Sequence, residues 1–454
     1  MNTTITRLLS AILVIVATVG STSYSNERPV AHVILISIDG LRPEFYLDPT
    51  WPAPMLQQMA AEGVHAKGVT GVFPSVTYPS HTTMITGAMP ARHGIYYNSP
   101  FEPEGYTGKW YWEADSIKVR TLWQAVKDKA LTSASLSWPV SVNAPVDFNI
   151  PEIWPLDRNT DLLAPLRAVT KPDGLFNELE ERATGSIQSK WYNLDNLMRD
   201  HKVASMAAYI VEQYKPNFMT IHLVEVDHFQ HEQGRDGDMV RRSVVAADHA
   251  VSIIEEACRR AGIAKKTAFI VTGDHGFVDI HTRIAPNIWL MQAGLMDAQR
   301  GLDNWRATFH TSGAAAFLHL RTPGDAEALE QARTAIENQP SSIRKLFRIV
   351  EKDELAAAGA APDVPLALAP VPGINFSAST RGEVLAAVSG GTHGFFPDFD
   401  EIQTGFIGWG AGFRSKVVVP KMGLEDISPI VIDLLDLDMK VPDGILLPGL
   451  IVRQ

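Results

Sequence analysis

Five short stretches of this 454-residue chain carry the residue types that nucleophilic and metal chemistry require. Residues 73–87, FPSVTYPSHTTMITG, set a hydroxyl residue, Thr77, in a turn punctuated by Pro74 and Pro79. Each proline fixes its own φ and biases the residue before it away from the helical region, so the threonine is held. A helix opening near Ser80 is expected to aim its free N–H groups and positive dipole end at whatever lies beside Thr77, which makes the turn an anion site. Taken alone, the same run also reads as an ordinary Ser/Thr-rich helix cap. Asp and His then recur. Asp39 ends an apolar, β-branched run in Ile38-Asp39-Gly40; Asp227 and His231 stand four apart; Asp274 and His275 follow the apolar FIVT; His393 sits in the glycine turn 390–394. In a helical turn, four-residue spacing puts Asp227 and His231 on one face, within reach of one metal. Each Asp-His pair by itself reads first as a capping carboxylate and a hydrogen-bonded imidazole.

Together the set holds three carboxylates, three imidazoles and a hydroxyl. Mixed Asp/His ligation suits zinc, whereas an all-oxygen shell would suit magnesium or calcium. A threonine hydroxyl is a poor nucleophile at its own pKa, and a divalent cation beside it would favour the alkoxide. The chemistry in view is in-line displacement at phosphorus through a phospho-threonine, with a second cation stabilising the leaving oxygen.

A sheet edge must gather these residues. Residues 31–37 form a continuous apolar run of the kind found in buried parallel strands. Helical patterns over Pro54–Glu62, 120–130, 203–213 and 239–260 alternate with strand-like runs at 131–137, 218–224 and Thr267–Thr272. That alternation predicts a layered α/β/α domain with a mostly parallel central sheet, whose carboxyl edge carries the ligands. Residues 140–200, rich in Pro, Asp and Trp, are expected to form a cap or insert in which substrate choice is made. Residues 283–382 are expected to be a peripheral segment, with a helix near 326–338 and an Ala/Pro-rich linker over 356–372. Tyr78, Trp110, Trp112 and Trp123 are the expected aromatic pocket wall, and His222 and His228 are expected to support the site.

Composition bounds the function further. A net charge of −11 argues against a nucleic-acid-binding surface, which needs clustered Lys and Arg. Residues 1–25 show Arg7, an apolar run over 8–20 and then small residues, the pattern of a signal peptide. The apolar run is shorter than the roughly 20 residues a membrane span needs. The expectation is cleavage near Ser23 or Ser25, a single domain over 26–454 with no membrane span, and export to the periplasm or medium. Cys258 is the only cysteine, so no intrachain disulfide forms, which suggests a bacterial envelope. No sequence feature indicates an oligomeric state.

The order DG, TYPSH, DxxxH, DHG and THG, running from about residue 30 to the Val441-Pro442-Asp443-Gly444 segment, resembles the nucleotide pyrophosphatase/phosphodiesterase family of the alkaline phosphatase superfamily. The resemblance implies an alkaline-phosphatase-like fold, two zinc ions and Thr77 as nucleophile. It implies one zinc on Asp227, His231 and His393, the other on Asp39, Asp274, His275 and the Thr77 oxygen, and Asn98 as donor to a phosphate oxygen. Two positions depart from the family pattern: Ser80 where Asn is frequent, and Tyr78 where many relatives carry Phe. Monoesterases on this core add a fixed positive charge, and the stretch PVSVNAPVDFNIPEIWP after Trp138 contains no Lys or Arg. The implied activity is therefore an exported phosphodiesterase or nucleotide pyrophosphatase acting on a small phosphodiester or nucleotide; the alternative is a phosphomonoesterase or phosphonate hydrolase. A sulfatase does not fit, because Cys258 lies in EACRRAG, outside the motif those enzymes modify. A degenerate, non-catalytic envelope protein would lack a ligand, and none is missing.

Overall fold

Alternation of side chains along His32–Ile38 explains why this strand lies deep in the molecule. Ile34, Ile36 and Ile38 pack into one apolar core, while Val33 and Leu35 pack into a second on the opposite face. With a period of two, both faces of the strand are buried. In the computed structural model it sits inside an eight-stranded sheet, in the order Val417–Val419, Val64–Ala66, Phe406–Gly410, Thr267–Thr272, His32–Ile38, Phe218–Leu223, Ser133–Leu136, Phe148–Ile150. Only Phe406–Gly410 runs antiparallel to its neighbours. Helices cover both faces, the largest being the amphipathic Asp238–Arg260, which buries Val240, Val244, Val251, Ile254 and Cys258 against the first core. This is the layered α/β architecture with a mostly parallel sheet that the alternation predicts.

The structure describes residues 30–157, 159–189, 192–194, 196–297 and 304–452. The leader expected over 1–25 lies outside the described residues. Among those described, no helix is long and apolar enough to cross a membrane.

Within 140–200 the chain first adds the edge strand Phe148–Ile150. It then runs through the short helices Ala164–Val169 and Leu175–Leu179, whose Leu166, Leu175, Phe176 and Leu179 join the first core. Within 283–382, four strands, Ala307–Ser312, Ala315–Leu320, Phe347–Glu351 and Leu366–Pro370, make a separate sheet. The linker expected over 356–372 is a correction. It contains the end of the helix Lys352–Ala357 and a fully buried strand, Leu366–Pro370, paired on both sides. Its Ala/Pro composition suggested a linker, but alternation decides. Leu366 and Leu368 face one core, while Ala367 and Ala369 face another that contains Phe73 and Tyr97. The small sheet thereby braces the two segments that lead into Thr77 and Asn98.

Candidate active site

Thr77 is the first residue of the helix Thr77–Thr86, which starts three residues earlier than the expected start near Ser80. Pro79 permits this because the first-turn N–H groups have no intrahelical partner to lose. The first helical bond is from Ser80 N–H to the Val76 carbonyl, at 3.2 Å. Thr77 is bracketed by ties to the Asp/His motifs. Two residues before it, the Ser75 carbonyl accepts from His393 Nδ1 at 3.0 Å, and Ser75 Oγ accepts from Gly394 N–H at 3.1 Å. Four residues after it, His81 Nδ1 donates to the Thr77 carbonyl and lies 3.7 Å from Asp274 Oδ2. Thr77 is 8% exposed, in contact with the surface yet enclosed. Asn98 Oδ1 accepts the Tyr78 N–H at 2.9 Å, which leaves its amide N–H groups to donate.

Asp39, Asp227, Asp274, His231, His275 and His393 come together at the carboxyl edge of the sheet. Their histidines share one arrangement. His231 Nδ1 bonds the Gly391 carbonyl at 3.0 Å, His275 Nδ1 the Gly276 carbonyl at 3.1 Å, and His393 Nδ1 the Ser75 carbonyl. Each backbone bond fixes the ring and leaves Nε2 for a ligand. His275 Nε2 lies 3.2 Å from both Asp39 Oδ1 and Asp274 Oδ2, and the Nε2 atoms of His231 and His393 each lie 3.5 Å from Asp227 Oδ1. The glycine turn makes this possible: Gly390 has φ +96°, and a Cβ there would collide with the His231 carbonyl. Asp274 Oδ1 is occupied by the Gly40 and His275 N–H groups. Asp39 Oδ1, Asp227 Oδ1, Asp274 Oδ2 and His275 Nε2 are buried with no hydrogen-bond partner.

Such orphaned carboxylate oxygens cost free energy unless something positive faces them. Burial and the charge of Asp39 push Asp274 up to about 7 and Asp227 well above the usual carboxylate range. Burial also opposes charge on His275, but Asp274, Asp39 and Asp227 outweigh it and raise the imidazole to about 9. Two groups of donor atoms lie within 4.8 Å of one another, Asp39/Asp274/His275 and Asp227/His275/His393, and they share His275. The donor set and its unsatisfied oxygens fit two adjacent divalent cations.

Supporting residues come from far along the chain. His222 Nε2 donates to Asp39 Oδ2 at 3.0 Å, and its Nδ1 faces the Ser137 carbonyl at 3.1 Å and Glu152 Oε2 at 3.3 Å. Burial disfavours the charged ring, but these carboxylates lift His222 to about 10. His228 lies 3.4 Å from Glu232, one turn along its own helix.

The helix Glu225–Gln233, which carries Asp227 and His231, is locked to the helix Arg199–Tyr214 by a reciprocal cap. Asp200 accepts the Val224 and Glu225 N–H groups at 2.9 and 3.0 Å, and Glu225 accepts the Arg199 N–H at 2.8 Å. Asp200→Ala leaves two buried backbone donors unpaired, at about 1–3 kcal/mol each. We expect it to lower cation affinity by about 10–100-fold, as loss of a ligand's support does. Metal retained after dialysis and the thermal midpoint are the measurements; if neither changes, the cap does not position Asp227.

Of the expected aromatic wall, Tyr78, Trp110 and Trp112 meet beside the nucleophile. The Tyr78 ring stands 5.1 Å from Trp110, and Trp154, which the sequence reading did not single out, packs 4.9 Å from Trp110 and 5.5 Å from Trp112. Tyr78 itself is fully buried behind Trp110. Trp123 is a correction. It lies fully buried on the helix Leu122–Asp128 in the second core, with Val33, Leu35 and Trp138, because that helix turns its apolar face to the sheet. It lines no part of the wall. The run after Trp138 lacks Lys and Arg, and Arg199, at the start of the helix Arg199–Tyr214, reaches its neighbour Ser137, Nη2 donating to Oγ at 3.4 Å.

The family model for type I phosphodiesterase/nucleotide pyrophosphatase matches residues 33–395. The chain belongs to that family. Family member 3 of the ectonucleotide pyrophosphatase/phosphodiesterases from Rattus norvegicus is 23% identical over 445 residues, covering 91% of this chain and 43% of its own. Venom phosphodiesterase from Naja atra is 22% identical, covering 89% and 44%. The chain thus spans less than half the length of these curated relatives. Among solved structures, human ectonucleotide pyrophosphatase/phosphodiesterase 5 superposes with a TM-score of 0.65 at 18% identity, covering 91% of this chain and 97% of that one. The murine counterpart, in an inactive threonine-to-alanine form in complex with AMP, gives 0.64. These likenesses establish the alkaline-phosphatase-like fold of the family for this chain.

Proposed function

We propose that this protein is an exported, metal-dependent phosphodiesterase or nucleotide pyrophosphatase that works through a phospho-threonine on Thr77. The observation that carries the reading is the cluster of three imidazoles, each with Nδ1 tied to a backbone carbonyl, facing three carboxylates that each keep one buried oxygen without a partner. Asp227, His231 and His393 would hold one cation, and Asp39, Asp274, His275 and the Thr77 hydroxyl the other; zinc suits these donors. Bound there, divalent cations supply Lewis-acid stabilisation of charge on oxygen and make a hydroxyl nucleophilic near neutral pH.

The chain's own groups do the rest. Thr77 Oγ, having lost its proton, bonds to phosphorus as the bond to the leaving oxygen breaks. Water then attacks the same phosphorus, and the threonine oxygen departs and regains a proton. Asn98, with Oδ1 taken by the Tyr78 N–H, presents its amide donors to a non-bridging phosphate oxygen, a role of the oxyanion-hole type. The wall of Trp110, Trp112 and Trp154 gives a planar or apolar substituent a surface to pack on. The murine relative's complex with AMP supports a small nucleotide as ligand.

Arg199 favours one further reading, activity on more highly charged phosphomonoesters. The test compares a 4-nitrophenyl nucleotide diester with 4-nitrophenyl phosphate, each with and without chelator. Diester preference that disappears on chelation is expected; monoester preference moves the function to a phosphatase on the same residues, and activity indifferent to chelator overturns the cation sites.

A further inference from the structure

The motif Val441-Pro442-Asp443-Gly444 supplies none of the metal donors named above, yet it is built into the far end of the nucleophile helix. The N–H groups of Asp443 and Gly444 both donate to the Gly87 carbonyl, each at 3.1 Å, where the helix Thr77–Thr86 ends. Gly87 closes that helix at φ +61°, and a Cβ there would lie 2.6 Å from Val441 Cγ1. The Asp443 carboxylate then takes hold of the chain that leaves the helix. Its Oδ2 accepts the Met89 N–H at 2.8 Å, and its Oδ1 accepts the Arg92 Nε–H at 2.9 Å. The motif is itself held in place. Asp426 Oδ1 accepts the Ile445 N–H at 2.9 Å, and a Cβ on Gly444 would stand 2.0 Å from the Glu425 carbonyl oxygen.

This grip acts on a closed loop between the two groups that would meet the phosphate. From Thr77 the chain runs down its helix for about 15 Å, at 1.5 Å per residue, turns at 87–89 and returns through the helix Pro90–His93 to Asn98. Two ties join the outward and return arms. Asn98 Oδ1 accepts the Tyr78 N–H at one end, and His93 Nε2 meets Thr83 Oγ1 at 3.1 Å midway, with His93 and Thr83 fully buried. Asp443 closes the other end, from 354 positions along the chain. At an sp² oxygen a hydrogen bond fixes distance more tightly than direction. The aim of the Asn98 amide donors therefore depends on the arm that carries them. We propose that Asp443 is a positioning residue: by gripping the helix end and the start of the return arm together, it sets the placement of the Asn98 donors against the Thr77 oxygen. This role rests on the proposed hydrolysis at Thr77, and Asp443 acts in it only through Asn98.

The test is a double-mutant cycle on a 4-nitrophenyl nucleotide diester, read below the thermal midpoint of every variant. Asp443→Ala is expected to lower kcat about tenfold with KM little changed, since a misplacement of about 1 Å can cost about 10²-fold. Asp443→Asn keeps an acceptor for the Met89 N–H but turns an amide donor toward Arg92, and should lose only about threefold. Arg92→Ala removes an ion pair whose arginine side chain is 60% exposed and should leave kcat unchanged. In an Asn98→Ala background both Asp443 losses should vanish, because the group they displace is gone. A clip that serves stability alone would give the same factor in both backgrounds. That result, or an Asp443→Ala protein with the parent's kcat, overturns the role; if the alanine variant does not fold, the asparagine variant carries the same cycle. Titration calorimetry with orthovanadate, a mimic of five-coordinate phosphorus, is the second readout. Asp443→Ala should weaken vanadate binding about tenfold when Asn98 is present and leave it unchanged when Asn98 is absent. Because calorimetry reads binding, it decides the role even if the parent hydrolyses no diester, a result that would instead count against the proposed function.

Discussion

Thr77→Ala is expected to lower turnover of a nitrophenyl diester by at least about 10³-fold, the scale seen when a covalent nucleophile is removed and binding groups remain. The structure explains why the loss should be chemical. Thr77 opens its helix, but its side chain makes no capping bond: the N-cap position is Val76, and no side-chain cap is present. The turn is held instead by Ser75 on the His393 segment and by Asn98 on the Tyr78 N–H. Removing one hydroxyl leaves those ties intact, so stability should move by no more than about 1 kcal/mol, as for substitutions away from core or cap. Thr77→Ser keeps an oxygen in place and should retain part of the activity. Acid quenching of the parent during turnover, followed by mass measurement, should find phosphate on the peptide containing Thr77. Wild-type turnover in the alanine variant would sink the nucleophile assignment.

That these residues converge is legible in the sequence for a physical reason. Asp39, Asp274 and His275 follow apolar strands directly, Thr77 sits between two prolines, and His393 lies in a glycine turn, so type and local context occur together within a few residues. The architecture was legible for the same reason: helix and strand periods differ and alternate cleanly from residue 203 to 272. What stayed hidden depends on contacts distant in sequence. Asp200 meets the Val224 N–H, 24 positions on; Arg199 meets Ser137, 62 positions back; Glu152 meets His222 across the sheet edge. Nothing in the local run around any of them marks it as part of a site. Trp123 shows the opposite failure, since an aromatic residue announces burial without saying which surface it is buried against. The Leu366–Pro370 strand was masked by alanine and proline, although its alternation between two cores is plain once both are seen.

Stripping the protein of divalent cations is expected to destabilise it as well as silence it. Asp39, Asp227 and Asp274 are brought into one buried cluster, and at least one oxygen of each has no hydrogen-bond partner. The hydrogen bond from His222 and the nearby charges of the His275 and His222 rings offset the burial of Asp39 and hold it well below the usual carboxylate range, so its charge persists and works against ionisation of Asp227 and Asp274. Protein groups therefore leave each of the three carboxylates short of a partner. Cations bound only by the folded state add RT ln(1 + [L]/Kd), about 4 kcal/mol for a ligand present at about 1,000 times its Kd. For a domain of this size that corresponds to a fall of about 4–5 °C in Tm for each cation removed.

His275→Ala should affect the site more than loss of any other imidazole, because His275 belongs to both groups of donor atoms and stacks on His393 with ring centroids 3.6 Å apart. Its removal takes a ligand from the Asp39 side and the ring that His393 stacks on from the other, so metal content should fall on both sides, whereas His231→Ala should lower it on the Asp227 side alone. Elemental analysis of dialysed protein beside a thermal scan separates the two. A Tm indifferent to chelator, or a His275→Ala protein that keeps its full metal content, would mean that the carboxylates are stabilised by something other than cations. The buried oxygens that face His275 would then need a different partner, and the phosphoryl chemistry built on them would lose its foundation.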